Sequence, residues 1–598
     1  MPDAHPPLIP LGLSLGVTGH RAVALGEAGA ERTRVHLREQ LDALRDAVAR
    51  FAVIDGRWFG AEPPKLALLS PLAPGADQIA AEAALDAGWD LKAILPFARE
   101  EYAADFPAGV ARTQLDAVLA RASCVLELPG VREQPAEAYR MAGRATVAHA
   151  DILLAVWDGQ PARGQGGTGE VVADALQRGM PVIHIPVDPG AVPAILWSRF
   201  DPHVTTTCNN AQTARRPLDE ASLADLVQHL LAPPAGAEER GFLRTFAAEH
   251  ERTVKWRVEY PLLAALSGAR PFRRASWRTD LYRTGTRSEW SPFREGCASV
   301  HGIDAALDPL EVAYAWSDRL ASHFAQTYRS GHVFNFLLGS IAVLVALTGL
   351  LLPGAKLVLA LLELAVILAV IVNTAIGTRA GWHRRWLDYR QLAERLRPMR
   401  SLKLLGLAAP DLPASNARVR WIDWYAAGVW RAMGVPSGRI APDRPPQLAA
   451  SLAEHELVPQ IAYHRASAAE MHLLDHRLHL TGTGLFVATI VGCLALIAGY
   501  LASPEWTARH AGIFVFLSAG LPALGTALFG IRMQGDFAAT AFRSGDTAHE
   551  LEAIAEQLRV PGLGLSRSGD LFEQATRTML ADLGEWRLAH HQRELQLP

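Results

Sequence analysis

Four long apolar stretches in the second half of the chain constrain its fold more than any other feature. FNFLLGSIAVLVALTGLLL (334–352) is joined by Pro353, Gly354, Ala355 and Lys356 to LVLALLELAVILAVIVNTAIG (357–377). GTGLFVATIVGCLALIAGYLA (482–502) is followed after a short loop by GIFVFLSAGLPALGTALFGI (512–531). Each is close to the roughly 20 residues a helix needs to cross a bilayer. Two transmembrane hairpins, four spans in all, are therefore expected. Arg319, Arg329, Arg379, Arg384 and Arg385 flank the first hairpin, and Arg477, Arg532 and Arg543 the second, whereas the connecting loops hold only Lys356 and Arg509. Basic residues stay on the cytoplasmic side, so the loops face outward and both termini inward.

The rest of the 598 residues must supply soluble parts, because 20% of the chain is charged although half is hydrophobic. A net charge of −3 provides no positive field for a polyanion, so nucleic acid is not an expected partner. Cys124, Cys208, Cys297 and Cys493 are widely spaced, with no CxxC pair, as suits a reducing compartment. The N-terminal segment has no basic start and no long apolar run, so no secretory signal is expected there.

Short apolar runs punctuate the first 190 residues: LSLGV (13–17), KLALLS (65–70), LKAIL (91–95), CVLEL (124–128), DILLAVW (151–157) and PVIHIPV (181–187). Leu37, Leu41, Leu44, Val48 and Phe51 recur between the first two at the spacing of one helix face. Strands alternating with helices predict a Rossmann-like, doubly wound α/β domain with a mostly parallel sheet. Ligands bind such sheets beyond the carboxyl ends of the strands.

Three strand ends carry suitable chemistry. The first ends in Thr18, Gly19, His20 and Arg21, combining a tight turn with a guanidinium fork for phosphate. The second ends in Ala73, Pro74, Gly75, Ala76 and Asp77, where a helix begins. The fifth ends in Trp157 and Asp158, then Gly166, Gly167, Thr168, Gly169 and Glu170 open another helix, whose free N–H groups form a cradle for anions.

Together GVTGHR, LAPGADQIAAEAALDAG, ILPFAREEY and AVWDGQPARGQGGTGEVVADAL resemble the SLOG superfamily, which unites the DNA-processing protein A family and the Lonely Guy phosphoribohydrolases. The resemblance covers about the first 190 residues and implies a pocket for a nucleotide or nucleotide-derived signal, with no further cofactor. Lonely Guy enzymes carry GGxGTxxE. Aligned on Gly166, Gly167 and Gly169, this chain has Glu170 at the threonine position and Ala173 at the catalytic glutamate. A sensor is expected rather than that hydrolase; the alternatives are a membrane-tethered nucleotide phosphoribohydrolase or N-glycosidase, with Glu170 or an Asp such as Asp77 or Asp158 as its acid/base group, and a regulated channel or transporter. Glu170 has two readings, ribose contact or capping of its own helix.

The hairpins look duplicated. YRQLAERLR (389–397) follows one and ELEAIAEQLR (550–559) the other. That plan resembles the SLATT group of two-transmembrane domains, and the resemblance implies a membrane effector of bacterial antiphage defence that forms a pore or disrupts the inner membrane. The expected organisation is a sensor domain (1–190), a helical connector (191–330) and two hairpin units (331–406 and 407–598). Four spans enclose little alone, so a pore would require a homo-oligomer.

Further residues admit two readings each. Glu363, two turns inside the second span, either lines a pore or subunit contact or snorkels to the headgroups. His472, Asp475, His476 and His479 have helical spacing, and a wet interfacial face is expected there rather than a metal site. Arg270, Arg273, Arg274, Arg278, Arg283, Arg287 and Arg294, interleaved with Phe272, Trp277, Tyr282 and Trp290, suit either an anionic leaflet or a solvated surface. Trp421, Trp424 and Trp430 are compatible with membrane-interface anchoring.

Overall fold

A computed structural model describes residues 4–162, 164–200, 213–297, 303–410 and 420–590, with side chains described as far as residue 581. Nine strands form one sheet: β1 (Gly12–Gly19), β2 (Lys65–Ser70), β3 (Asp90–Leu95), β4 (Cys124–Glu127), β5 (Ile152–Trp157), β6 (Val182–Pro186), β7 (Ala194–Leu196), β8 (Arg215–Pro217) and β9 (Gly438–Arg439). Their order is β8-β7-β6-β5-β1-β2-β3-β4-β9, and only the β6–β7 and β7–β8 pairs are antiparallel. The first six are the expected runs. Parallel strands are covered by helices on both faces, so their sequences are continuously apolar and easy to see.

The principal helices are α1 (Ala22–Asp55), α2 (Ala76–Asp86), α3 (Pro135–His149), α4 (Thr168–Gln177), α5 (Glu259–Leu266), α6 (Ile303–Leu351), α7 (Lys356–Arg379), α8 (Trp382–Leu396), α9 (Trp421–Ala432), α10 (Val458–Ala502), α11 (Pro504–Gly535), α12 (Phe537–Leu558) and α13 (Leu565–His590). Leu37, Leu41, Leu44, Val48 and Phe51 of α1 are buried, as their spacing predicts.

The sheet does not stop at residue 190. β7 and β8 extend one edge, and β9 closes the other by pairing Leu126 with Gly438 and Glu127 with Arg439. Nor do the tryptophans of α9 face a membrane. Trp421, Trp424 and Trp430 are buried; Trp424 Nε1 donates to Leu231 O at 2.8 Å and Trp430 Nε1 to Ala148 O at 3.1 Å. Arg431 pairs with Asp151 at 2.6 Å, beside the start of β5. Residues between the hairpins therefore pack into the sheet's own core.

Four helices are long and apolar enough to cross a membrane, and they contain the four expected stretches. α6 packs against α7 and α11, and α11 against α10, so the spans run second, first, fourth, third. Within residues 482–502 the third span has only Gly482 buried, and the second only Val370, Asn373 and Gly377. Large apolar side chains left exposed over that length are those of a helix in lipid. The fourth span receives its neighbours in glycine notches: a Cβ on Gly520 would lie 2.7 Å from Leu344, and one on Gly530 would overlap the Phe336 ring. Small residues let membrane helices approach closely where no hydrophobic effect drives them together.

Glu363 is half-buried, in the stripe Leu359, Glu363, Val366, Val370, Asn373 and Gly377 that carries the less exposed positions of α7. That stripe faces α6.

Candidate ligand site at the strand ends

From β1 the chain moves to β2 on one side, and from β5 to β6 on the other, so the connections after these adjacent strands diverge. A doubly wound sheet opens its ligand crevice at such a switch point. Two of the three expected ends, those after β1 and β5, flank it directly.

Close backbone approach explains the glycines. A Cβ on Gly19 would lie 2.5 Å from Ala76 Cβ and 2.9 Å from Val156 Cβ, so β1 ends in a slot between α2 and β5. Gly75, at φ 124°, leaves no room beside Ala22 N and His20 O. His20 N donates to Val156 O at 3.0 Å, Ala76 N to His20 O at 3.1 Å and Ala22 N to Pro74 O at 3.1 Å. The turns after β1 and β2 are thereby stapled together, and the Ala76 N–H is already used. Across the switch point His20 Nε2 lies 3.3 Å from Asp158 Oδ2.

The glycine loop after β5 has a different economy. Gly166, at φ 75°, rests on α3, where a Cβ would lie 2.9 Å from Tyr139 Cβ. Glu170 Oε2 accepts the Gly166 N–H at 2.6 Å, so its carboxylate closes the loop that opens its own helix. The amides of Gly167, Thr168 and Gly169 donate to no described residue. They are orphan donors at the N-terminus of α4, where the helix dipole favours an anion.

Trp157 belongs to the core instead. Its carbonyl lies 3.0 Å from His184 Nε2, and its ring packs against that imidazole in the cluster with Val172 and Leu176.

A polar wall continues from the crevice, joining Arg21 and Asp77 to Tyr102, Asp105, Arg132 and Tyr139, which are not individually singled out by the sequence. Arg21 lies over the Tyr139 ring at 5.3 Å, and the Tyr139 hydroxyl donates to Asp105, which also pairs with Arg132. Burial, then Asp105, pushes the Tyr139 hydroxyl above its ordinary range. Behind it Asp77 is buried and its Oδ1 has no hydrogen-bond partner among the described residues; the Tyr102 hydroxyl shares both properties. Burial drives the Asp77 carboxyl up to about 8, against a bond from Ala73 and the charge of Arg21. Tyr102 and Asp105 lie in or just past the ILPFAREEY stretch, so a sequence signal existed for the segment, but only the fold brings it to Asp77 and Arg21.

The site also borders a second element. A cavity of 420 Å³ beside the glycine loop is lined by Arg140, Gly166, Glu170 and Asp174 and by Asp570 and Glu573 of α13. Arg178 Nη2 lies 3.2 Å from Glu573 Oε1 and Arg144 Nη1 2.8 Å from Asp570 Oδ1. Ser566 donates to Glu137 at 2.5 Å.

At the membrane end of the chain, Asp475 holds Arg532 in a two-point contact at 2.7 and 3.0 Å. The carboxylate among the three histidines is thus committed to an arginine of the fourth span's end.

Residues 312–402 match the model of a family described as a protein of unknown function (DUF4231). No curated protein matches the chain. The matched stretch contains the membrane part of α6, all of α7 and α8, and lies outside the strands of the sheet. With its four membrane-crossing helices, the chain is a multi-pass membrane protein whose first hairpin is similar to that family.

Proposed function

We propose that this protein is a membrane-bound sensor and effector: a nucleotide-derived phosphate ligand enters the crevice between β1 and β5, and its binding changes the packing of the spans. The observation that carries the proposal is the switch point itself, where three orphan amides of Gly167, Thr168 and Gly169 stand across from Arg21 and the His20–Asp158 pair. Phosphate satisfies donors of this kind without any reading of the base. The resemblances, SLOG for the sheet and SLATT for the hairpins, suggest antiphage defence as the setting, and the family match on the first hairpin is compatible with a membrane effector.

A route to the membrane follows from α4. Its N-terminus meets the ligand, and Arg178 just past its end holds Glu573 of α13, which packs against α12, the continuation of the fourth span. A ligand shifts the spans only by binding one arrangement better than another. Since one chain sets its spans in a row, a pore would need several copies, with Glu363 on an inter-helix face.

The test is thermal-shift and calorimetric binding of the full chain in nanodiscs to cyclic oligonucleotides, cyclic ADP-ribose isomers and nucleoside monophosphates, with product analysis. Tight binding without turnover, lost in Arg21→Ala and in Gly167→Asp, is expected, followed by ligand-dependent leakage of liposomes. Absence of binding across the panel would refute the sensor.

One observation favours a second reading, a nucleotide N-glycosidase. The Asp77 carboxyl, held protonated at neutral pH by burial, is a general acid in waiting. Release of free base, abolished in Asp77→Asn, would establish it; Glu170, engaged with Gly166, is the poorer candidate.

A further inference from the structure

The basic, aromatic run of the connector divides into two parts with different fates. In the second part Tyr282 and Trp290 are buried, and Arg287 and Arg294 are neutralised by Glu311, Asp308 and Asp304. In the first part Arg270, Arg273, Arg274 and Arg278 are exposed and make no ion pair with a described carboxylate. Exposed beside them are Phe272 and Trp277, and nearby Trp256, which is 86% exposed.

This first part is pinned to the point where the spans leave the membrane. Tyr260 packs with Val333 and Ile531, which border the first and fourth spans, and Tyr260 N donates to Ser330 Oγ at 3.1 Å. Arg257 donates to Asn373 Oδ1 at 2.7 Å, at the end of the second span. Leu263 and Ala269 join the same cluster, so the opposite face of α5, with Leu262 and Leu266, points away from the bundle. Gln326 ties down Ser276 O and Arg257 O at 2.7 Å each. It stands eight residues before the first span, a drop of about 12 Å along α6. The headgroup layer is about 5–8 Å thick on each face, and a further Debye length of about 8 Å remains electrostatically in reach.

We infer that residues 256–278 form an interfacial platform that binds anionic lipid headgroups on the bilayer face from which the soluble domain projects. Leu262 and Leu266 face the headgroup layer, Trp256, Phe272 and Trp277 lie along its outer edge, and the four arginines, within a Debye length of it, attract lipid phosphate. Cations without a described carboxylate partner, within electrostatic reach of the headgroups, and aromatic side chains with one wet edge are the two ingredients such a surface needs. The inference does not depend on any nucleotide ligand.

Hydrogen exchange of the full chain in nanodiscs tests it. In discs containing phosphatidylglycerol, peptides from 256–278 should exchange at least about tenfold more slowly than in phosphatidylcholine discs, since each arginine adds attraction to the anionic surface. The difference should vanish when Arg270, Arg273, Arg274 and Arg278 are all changed to Gln, with exchange in the sheet and spans unaltered. Equal exchange in the two lipids, fast or slow, overturns the inference. So does protection in phosphatidylcholine discs produced by an added acidic polypeptide and larger than that from anionic lipid, which would assign the arginines to a protein partner.

Discussion

The two hairpins share a helical plan and differ in what holds them. Each runs through a long helix, a turn, a second span and a break at a left-handed residue, Gly381 at φ 61° in one and Asp536 at φ 48° in the other. In the first, Asn373 Nδ2 donates to Asn335 Oδ1 at 2.7 Å, Asn335 to Thr374 at 2.9 Å, and Arg257 to Asn373. In the second the spans meet at Gly482 and Gly525, where a Cβ on Gly525 would touch Phe486 at 3.0 Å, and the charged pair Asp475–Arg532 sits at the foot. A hydrogen-bonded knot fixes one register and ties it to the connector, whereas glycine notches fix only distance. The first hairpin is thus anchored through residues 257–260 and the second reaches the sheet through α12 and α13. The family match falls on the first.

This contrast is open to breakage. Gly530→Leu should have the largest effect, because the new side chain collides with Phe336 where the two hairpins meet. Overpacking of that kind should cost about 3 kcal/mol, the upper end of its usual range, seen as loss of a folded bundle in detergent denaturation. A stable variant would mean that the hairpins do not lean on each other there.

Asp77→Asn tests whether the sheet speaks to the second hairpin. The wild-type carboxyl, raised to about 8, stays protonated in the folded chain while the unfolded one ionises near 4. Stability should therefore fall as pH rises from about 4 to about 8, and the variant should lack this slope. The gap at pH 8 should be about 2–4 kcal/mol in favour of Asn, closing toward pH 4, as read by melting temperature. If the substitution also slows hydrogen exchange in α12 and α13 but not in α8, the unequal wiring of the hairpins is sharpened; equal changes would blur it.

Asn373→Leu should cost about 1–2 kcal/mol, the range of interhelical hydrogen bonds in membranes, and should loosen residues 257–260 in exchange experiments. A neutral result would remove the knot from the comparison. Asp475→Asn should matter least, about 0–1 kcal/mol, because the pair is partly solvated. Its effect should shrink further in high salt.

The glycine-rich strand ends were legible in the sequence as a set, but the state of each donor was not. Nothing in GTGE says that Glu170 folds back onto Gly166, or that the Ala76 amide is taken by His20 while those of Gly167 to Gly169 find no acceptor among the described residues. Those outcomes depend on how two loops meet, at distances of 3 Å set by strand pairing. Similarly, the seven connector arginines look alike in one dimension. Arg287 and Arg294 differ from Arg270 and Arg273 only because α6 carries Asp304, Asp308 and Glu311 past them.

The six main strands, the amphipathic face of α1 and the four spans can be read from the residues alone, because each is an interval of local periodicity answering to one solvent, a protein core or a bilayer. Long-range packing, by contrast, sets Gly438 and Arg439, two residues with no pattern of their own, beside β4 to complete the sheet. It likewise decided that Trp421, Trp424 and Trp430 are core, and that Tyr102 and Asp77 share a buried corner. Such pairings join residues tens to hundreds of positions apart. Their free energy comes from mutual burial, which no local window contains.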